Sequence, residues 1–259
     1  MNEYKMIMPE TIITDMITDM IETVESACTE SLLYKLKQEH VSKKFQTEVQ
    51  GYHLICEAPI KEALWEEINK NIAACVCEIK DEAKGNHKSG KDMQFDEFGI
   101  SMKSAKLDKN KLSISSYRLT TVCSDKNPGD PAEIVKEISQ RDSSFQYYSI
   151  LLREELDHNI LQYNWCLIPK SCPLFNISET ELKPKFGKTG KNKGVQVGWE
   201  TKYASITFSM SSQLWIHFTF DDIKPYIISS IKVNNSQKKY HIQTFLILKR
   251  VLTLDNLDR

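Results

Sequence analysis

Hydrophobic and polar residues alternate along two short stretches of the chain that are separated by a polar turn. Residues 99–107 (GISMKSAKL) and 112–119 (LSISSYRL) flank the turn DKNK at 108–111. Alternation with a period of two is typical of a half-buried strand, and two such strands around a short turn predict a β-hairpin. In the first strand this alternation places on one face Ser101, Lys103 and Ala105.

Apolar residues on either side of this hairpin recur at helical spacing. Residues 9–40 predict a helical region, with 29–39 as its second piece, and we assign it to packing and dimerisation. Another helix is predicted to begin near Pro59, with an apolar face formed by Ile60, Leu64, Ile68, Ile72 and Val76. After a turn-rich segment, residues 131–141 predict a short helix.

The rest of the chain is predicted to be rich in strands. Residues 145–152 and 161–168 predict two strands around a charged turn, which would extend the sheet of the hairpin. Strands are also predicted within 195–199 and 203–220, and a strand or short helix over 241–251. The elements together predict an α/β (α+β) fold, in which a mixed central sheet carries the hairpin at its centre and helices on its faces.

Composition places the chain among ordinary globular proteins. It has 259 residues, of which 41% are hydrophobic and 27% charged, and its net charge is −1. A nucleic-acid surface would therefore depend on local clusters of basic residues. No apolar run reaches the length of a membrane span and no leader segment is evident, so we expect a cytoplasmic protein without a membrane partner. The seven cysteines lack zinc-site spacing and predict free thiols.

The candidate chemistry lies in and before the hairpin. Asp92 ends the phrase HKSGKD, and Lys103 follows Ser101 by two residues within GISMKSAK. An aspartate entering a sheet and a lysine on the next strand resemble the active site of PD-(D/E)xK nucleases. The longer sequence, continued by LSISSYRL, resembles a type II restriction endonuclease over about 62–120, and a weaker resemblance extends as far as Ile216. Spacing alone leaves open a surface ion pair between Asp92 and Lys103.

The resemblance implies a restriction-endonuclease-like fold, Mg²⁺ as cofactor and a division of roles. Asp92 would be the principal metal ligand, and Lys103 would orient or help to deprotonate the attacking water and stabilise the developing charge. The family carries Asp or Glu where this chain has Ser101. Some relatives take that acid from a helix, so the candidates for a second catalytic or metal-binding carboxylate are Glu66, Glu67 and Glu82.

Double-stranded DNA is the implied partner, and a lysine-rich segment is the candidate surface for it. Residues 183–193 (KPKFGKTGKNK) hold five lysines without an acid, including Lys185, Lys188 and Lys191. Lysines on phosphates release counterions and make binding salt-dependent. From the resemblance we add as DNA-contacting candidates His87, Lys88, Ser89, Lys106, Ser116 and Arg118.

The function implied by the resemblance is Mg²⁺-dependent, site-specific cleavage of double-stranded DNA by a homodimer, in a system with a cognate DNA methyltransferase. A repair or structure-specific nuclease of the same fold is one alternative. A non-catalytic DNA-binding module is another, and Ser101 in place of an acid favours it. The corresponding organisation is a helical N-terminal region over 1–57, a nuclease core over 58–170 and a strand-rich part of the same domain over 171–259.

Overall fold

A computed structural model describes residues 32–82, 90–157 and 159–235. The predicted helix over residues 9–31 and the predicted element at 241–251 lie outside these ranges. The helices are α1 (Glu39–Ile55), α2 (Glu62–Ala73), α3 (Pro131–Asp142) and the short α4 (Phe220–Ile223). None of the helices in the described residues combines the length and apolar character that crossing a bilayer requires.

The strands of the described residues form two sheets. The first has six strands in the order β1-β2-β3-β5-β6-β11, and the second has five in the order β4-β10-β9-β8-β7. Their bounds are β1 Ile79–Glu82, β2 Met93–Phe95, β3 Phe98–Leu107, β4 Lys111–Arg118, β5 Tyr147–Asp157, β6 Ile160–Pro169, β7 Lys183–Phe186, β8 Gln196–Glu200, β9 Ala204–Thr207, β10 Gln213–Thr219 and β11 Ile227–Asn234. Strands β3 and β5 run parallel and the other pairs antiparallel.

The six-stranded sheet confirms the predicted mixed sheet flanked by helices. One of its faces packs against α1 and α2 through a core that includes Trp65, Trp165 and Phe45. Its other face packs against the five-stranded sheet and α3 through a core that includes Ile114, Ile138 and Ile150. The two sheets exchange strands. β4 follows β3 of the first sheet along the chain but joins the second sheet, and β11 follows the strands of the second sheet but joins the first.

The predicted hairpin has the expected strands and turn, but its placement at the centre of a single sheet is wrong. Asp108 and Lys111 pair across the turn, where Lys109 and Asn110 both have positive φ. Beyond the turn, β3 stays between β2 and β5, whereas β4 pairs along its length with β10 in the second sheet. Alternation predicts one buried face for each strand, but β3 is buried on both faces over most of its length, and alternation does not show which neighbour each strand pairs with.

Two further predictions are corrected and two are confirmed. The second helical piece does not run through to residue 39, because the chain turns at 37–38 and a new helix then extends to Ile55. Residues 183–186 form β7, so the lysine-rich segment is part of a hairpin rather than a loop. The short helix at 131 and the strand pair β5–β6 are confirmed, and β5 does join the sheet of β3.

Candidate active site

Asp92 is fixed to the middle of the six-stranded sheet by hydrogen bonds to β3. It lies just before β2, and its backbone N–H donates to the carbonyl of Ile100 at 2.9 Å. Its Oδ2 accepts a bond from the backbone N–H of Met102 at 2.6 Å and from the Ser101 hydroxyl at 3.2 Å. These bonds hold the Asp92 carboxylate in one orientation beside β3, the strand that carries Lys103.

Lys103 is a buried lysine, only 5% exposed, that is satisfied by three acceptors. Its Nζ donates to Asp92 Oδ2 at 3.2 Å, to Glu62 Oε1 at 3.1 Å and to the carbonyl of Met102 at 2.7 Å. Burial acts to lower the pKa of Lys103, but the charges of Asp92 and Glu62 outweigh it and hold the pKa above its usual value. Lys103 is thus a fixed positive charge in the interior and not a surface ion-pair partner.

Glu62 is the carboxylate that sequence reasoning missed. It is the first residue of α2, where its charge also suits the helix N-terminus. The helix is anchored one turn later, because the buried Trp65 donates its Nε1–H to the carbonyl of Ser149 on β5 at 3.2 Å. A usable pattern was present in the sequence, since Glu62 and Glu66 stand four residues apart and therefore share a helix face.

Glu66 lies near the same charges without a direct bond to Lys103. Burial raises the pKa of Glu66, and the negative charge of Asp92 raises it further, while Lys103 partly offsets both. Glu67 is exposed and stands about 140° around the helix from Glu62, so the structure does not bring it to Lys103. We refer to Asp92, Ser101, Lys103, Glu62 and Glu66 as the acid–lysine site.

Ser101 occupies the position where the nuclease family carries an acid, and it is buried. Its hydroxyl donates to Asp92 Oδ2, so the side chain supports the first carboxylate instead of adding a second. The additional negative charge of the site comes from α2, through Glu62 and Glu66.

The donor set of the acid–lysine site suits a hard cation only in part. Carboxylate oxygens are ligands that Mg²⁺ prefers, and the repulsion between Glu66 and Asp92 is of the kind that a cation relieves. Among the described residues, however, no group of three or more His, Cys, Asp or Glu side chains is arranged to hold a metal ion. Mg²⁺ usually combines one or two carboxylates with water and substrate phosphate, and Asp92 with a glutamate of α2 meets that smaller requirement.

Of the other predicted residues, four have side chains outside the described part of the chain, and Lys106 lies away from this site. His87, Lys88 and Ser89 lie outside the described residues, and of Glu82 only its backbone position on β1, opposite Met93, is described. Lys106 is exposed and pairs with Glu155 at 2.9 Å on the opposite face of β3 from Lys103. These contacts give Lys106 no direct part in the acid–lysine site.

Ser116 and Arg118 lie on β4, on different sides of the strand. The Ser116 hydroxyl is 3.2 Å from the hydroxyl of Tyr148, a buried residue on β5 that pairs with Ser101. The Ser116 side chain therefore faces the protein interior, behind the acid–lysine site. Arg118 is exposed at the end of β4 and lies opposite Gln213 on β10.

The lysine-rich segment is an ordered hairpin at the far edge of the five-stranded sheet. Strands β7 and β8 flank residues 187–195, and we call this unit the lysine hairpin. Gly187 donates its N–H to the carbonyl of Val195 at 2.9 Å, and Gly194 donates back to Gly187 at 3.0 Å. Lys188 and Lys191 are exposed and make no ion pair with the described residues, while Lys185 is 3.6 Å from Glu200.

Comparison of the chain with models of known protein families, with curated proteins and with solved structures finds no match. The geometry of the described residues is therefore the basis for a functional assignment.

Proposed function

We propose that the protein is a Mg²⁺-dependent type II restriction endonuclease, with a restriction-endonuclease-like core built on the six-stranded sheet. The observation that carries this proposal is the position of Lys103 Nζ, which bonds Asp92 on one side and Glu62 on the other. A protonated lysine beside carboxylates that can bind a hard cation supports this proposal, because such groups can stabilise the charge that develops on a phosphodiester during hydrolysis.

The residues of the site divide the work of hydrolysis among them. Asp92 and a glutamate of α2 would hold Mg²⁺, which when bound polarises the phosphate and acidifies a water. Lys103 stays protonated because its pKa is raised, so it acts by stabilising the negative charge that develops on the phosphate and by orienting the water. Ser101 holds Asp92 in place through its hydroxyl.

DNA binding is proposed to use the second sheet. Arg118 on β4 and Lys185 on β7 are directly aligned through Gln213, Thr207 and Gly198, and paired residues on neighbouring strands point to the same face. This row, which we call the outer row, crosses the face of the sheet away from its hydrophobic core. A homodimer would present two such rows to a palindromic site, and a cognate methyltransferase would protect the host DNA.

The test is incubation of the purified protein with plasmid DNA and Mg²⁺. Discrete fragments that disappear when Mg²⁺ is chelated are expected from a site-specific endonuclease. Smeared or structure-dependent products would favour a repair nuclease, and shifted but intact DNA would favour a binding module without catalysis. Either of the last two outcomes overturns the proposed function.

A further inference from the structure

The tip of the lysine hairpin carries two large apolar side chains that are open to solvent. Phe186 is 54% exposed and Val195 is 53% exposed, among the most exposed large hydrophobic residues described. They are neighbours in the hairpin, because Phe186 ends β7 and the next residue, Gly187, donates its N–H to the carbonyl of Val195. Burial of side chains of this size is favourable, so a partner that covers both of them would gain affinity.

The charge around this apolar pair is uniformly positive. Lys188, Lys191 and Lys193 are exposed within the turn, and none of them is paired with an acid of the described residues. A partner for this tip must therefore combine a dense negative charge with an apolar recess. Duplex DNA has both, since phosphates line its grooves and the base pairs between them accept an inserted apolar side chain.

The backbone of the turn relies on glycine at three positions. A side chain at Gly187 would lie 2.1 Å from the carbonyl oxygen of Asn192, so only glycine permits the close contact that closes the turn. Gly190 and Gly194 have positive φ values of 62° and 78°, which glycine adopts without strain.

The hairpin lies at one end of the outer row. The outer row runs from Arg118 to Lys185 over four strand-to-strand steps, or about 19 Å. That length is close to half a turn of B-DNA, which is about 17 Å along the axis. A duplex that lies along the outer row with one groove at Arg118 would therefore meet the hairpin at an adjacent groove.

We infer that the lysine hairpin bends duplex DNA by inserting Phe186, supported by Val195, between base pairs while its lysines hold the flanking phosphates. For its partner, this inference rests on the proposed function. An apolar wedge of this kind unstacks a base step and kinks the duplex, which brings more of the DNA onto the protein surface.

The experiment measures binding and bending of a duplex of about three helical turns (about 30 bp), labelled at its two ends for energy transfer, with Mg²⁺ chelated so that nothing is cut. The full-length protein is compared with Phe186→Ala, with Phe186→Leu and with Met210→Ala. Met210 is 51% exposed in the short 3₁₀ helix that follows β9, outside the turn of the lysine hairpin, so it is a control for loss of an exposed apolar side chain. Thermal unfolding checks that each variant is folded.

Phe186→Ala is expected to weaken binding about tenfold and to reduce the bend at saturation, with an unchanged dependence on salt because the phosphate contacts remain. Phe186→Leu should retain most of both properties and Met210→Ala all of them. A Phe186→Ala protein that binds and bends DNA like the wild type overturns the inference, as does binding to anionic lipid vesicles in preference to duplex DNA.

The two proposals fail separately in this design. Bending that depends on Phe186 in a protein that never cuts plasmid with Mg²⁺ supports the wedge and overturns the nuclease. Cleavage of plasmid, together with normal DNA bending by Phe186→Ala, supports the nuclease and overturns the wedge. A wild-type protein that does not bind the duplex overturns both.

Discussion

The acid–lysine site and the lysine hairpin use the same side chain in opposite environments. Lys103 is buried and bonds two carboxylates, whereas Lys188 and Lys191 are exposed and unpaired with the described acids. A buried, paired lysine has a fixed position and acts at short range on a reacting group. Exposed lysines on a turn act on a partner that brings its own negative charge, and salt screens them.

This contrast teaches that charge alone does not identify a functional lysine. The chain has a net charge of −1, and many of its lysines are paired on the surface, as Lys43 is with Glu39. Such pairs contribute little to stability. What separates the two regions is burial with a full set of acceptors in one, and exposure without a partner beside apolar side chains in the other.

The largest expected effect is at Asp92, where the comparison predicts loss of chemistry without loss of binding. Asp92→Asn keeps the side-chain volume but removes the charge that would hold the metal and that bonds Lys103. Cleavage should fall on the order of a hundredfold or more, as for removal of a preorganised charge. Affinity for DNA should change little, and Lys103→Ala combined with Asp92→Asn should be little worse than either alone.

The measurement is plasmid cleavage with Mg²⁺ beside a DNA-binding titration, on protein shown to be folded by circular dichroism. Cleavage by Asp92→Asn at the wild-type rate would remove the catalytic assignment of the site.

A second prediction separates the glutamates of α2. Glu62→Gln removes a charge that bonds Lys103, so cleavage should fall about ten- to hundredfold, as when a residue that supports a metal site or its neighbours is changed. Glu67→Gln is the matched control, because Glu67 is on the same helix but exposed and away from Lys103. Equal losses in the two variants, measured as initial rates of plasmid cleavage, would show that the helix matters only as a source of negative charge.

A third prediction concerns the lysine hairpin, where we expect DNA binding to be lost and chemistry retained, the opposite of the result expected at Asp92. Changing Lys185, Lys188 and Lys191 together to Ala should weaken DNA binding and flatten the slope of log K against log salt by up to about 2.7. Folding and the chemistry on bound DNA should be retained. The control changes three other exposed lysines, Lys43, Lys109 and Lys111, and an equal flattening in that variant would mean that the hairpin has no special part.

Local patterns predicted the strands of the site but not their assembly. Alternation identified β3 and β4, because a period of two is a property of each strand alone, and runs of β-favouring residues indicated β5 and β6. The departure of β4 into a second sheet depends on its pairing with β10, about a hundred residues later, and nothing within the hairpin encodes that choice. The same limit applies to β7, where a lysine-rich composition concealed a strand.

The candidate site shows the same division. The resemblance paired Asp92 with Lys103, whereas spacing alone left open a surface ion pair between them. The choice between Glu62, Glu66 and Glu67 depended on how α2 is rotated against the sheet, which is set by Trp65 on Ser149. That contact joins residues 84 positions apart, beyond the reach of any local pattern.

The smallest expected effect is on protein stability. It tests whether the negative charge of the acid–lysine site exceeds what Lys103 can balance without a bound cation. Burial, and then the charge of Asp92, raise the pKa of Glu66 in the folded protein above its unfolded value. The folded state therefore binds the proton more tightly, and ionised Glu66 destabilises the protein at pH values above the unfolded pKa. Below both pKa values Glu66 is neutral in either state, and the penalty disappears.

Glu66→Gln should accordingly raise the Tm slightly at neutral pH, by about 2 °C or less, and should lose that advantage near pH 4, around the ordinary pKa of glutamic acid. Added Mg²⁺ should stabilise the wild type more than Glu66→Gln, because a ligand that binds only the folded state shifts unfolding by mass action. Glu67→Gln, at an exposed position of the same helix, should show neither effect. Thermal unfolding at the two pH values, with and without Mg²⁺, measures both. A lower Tm for Glu66→Gln at neutral pH would mean that attraction to Lys103 outweighs burial and repulsion at Glu66, so that the site is balanced without a cation.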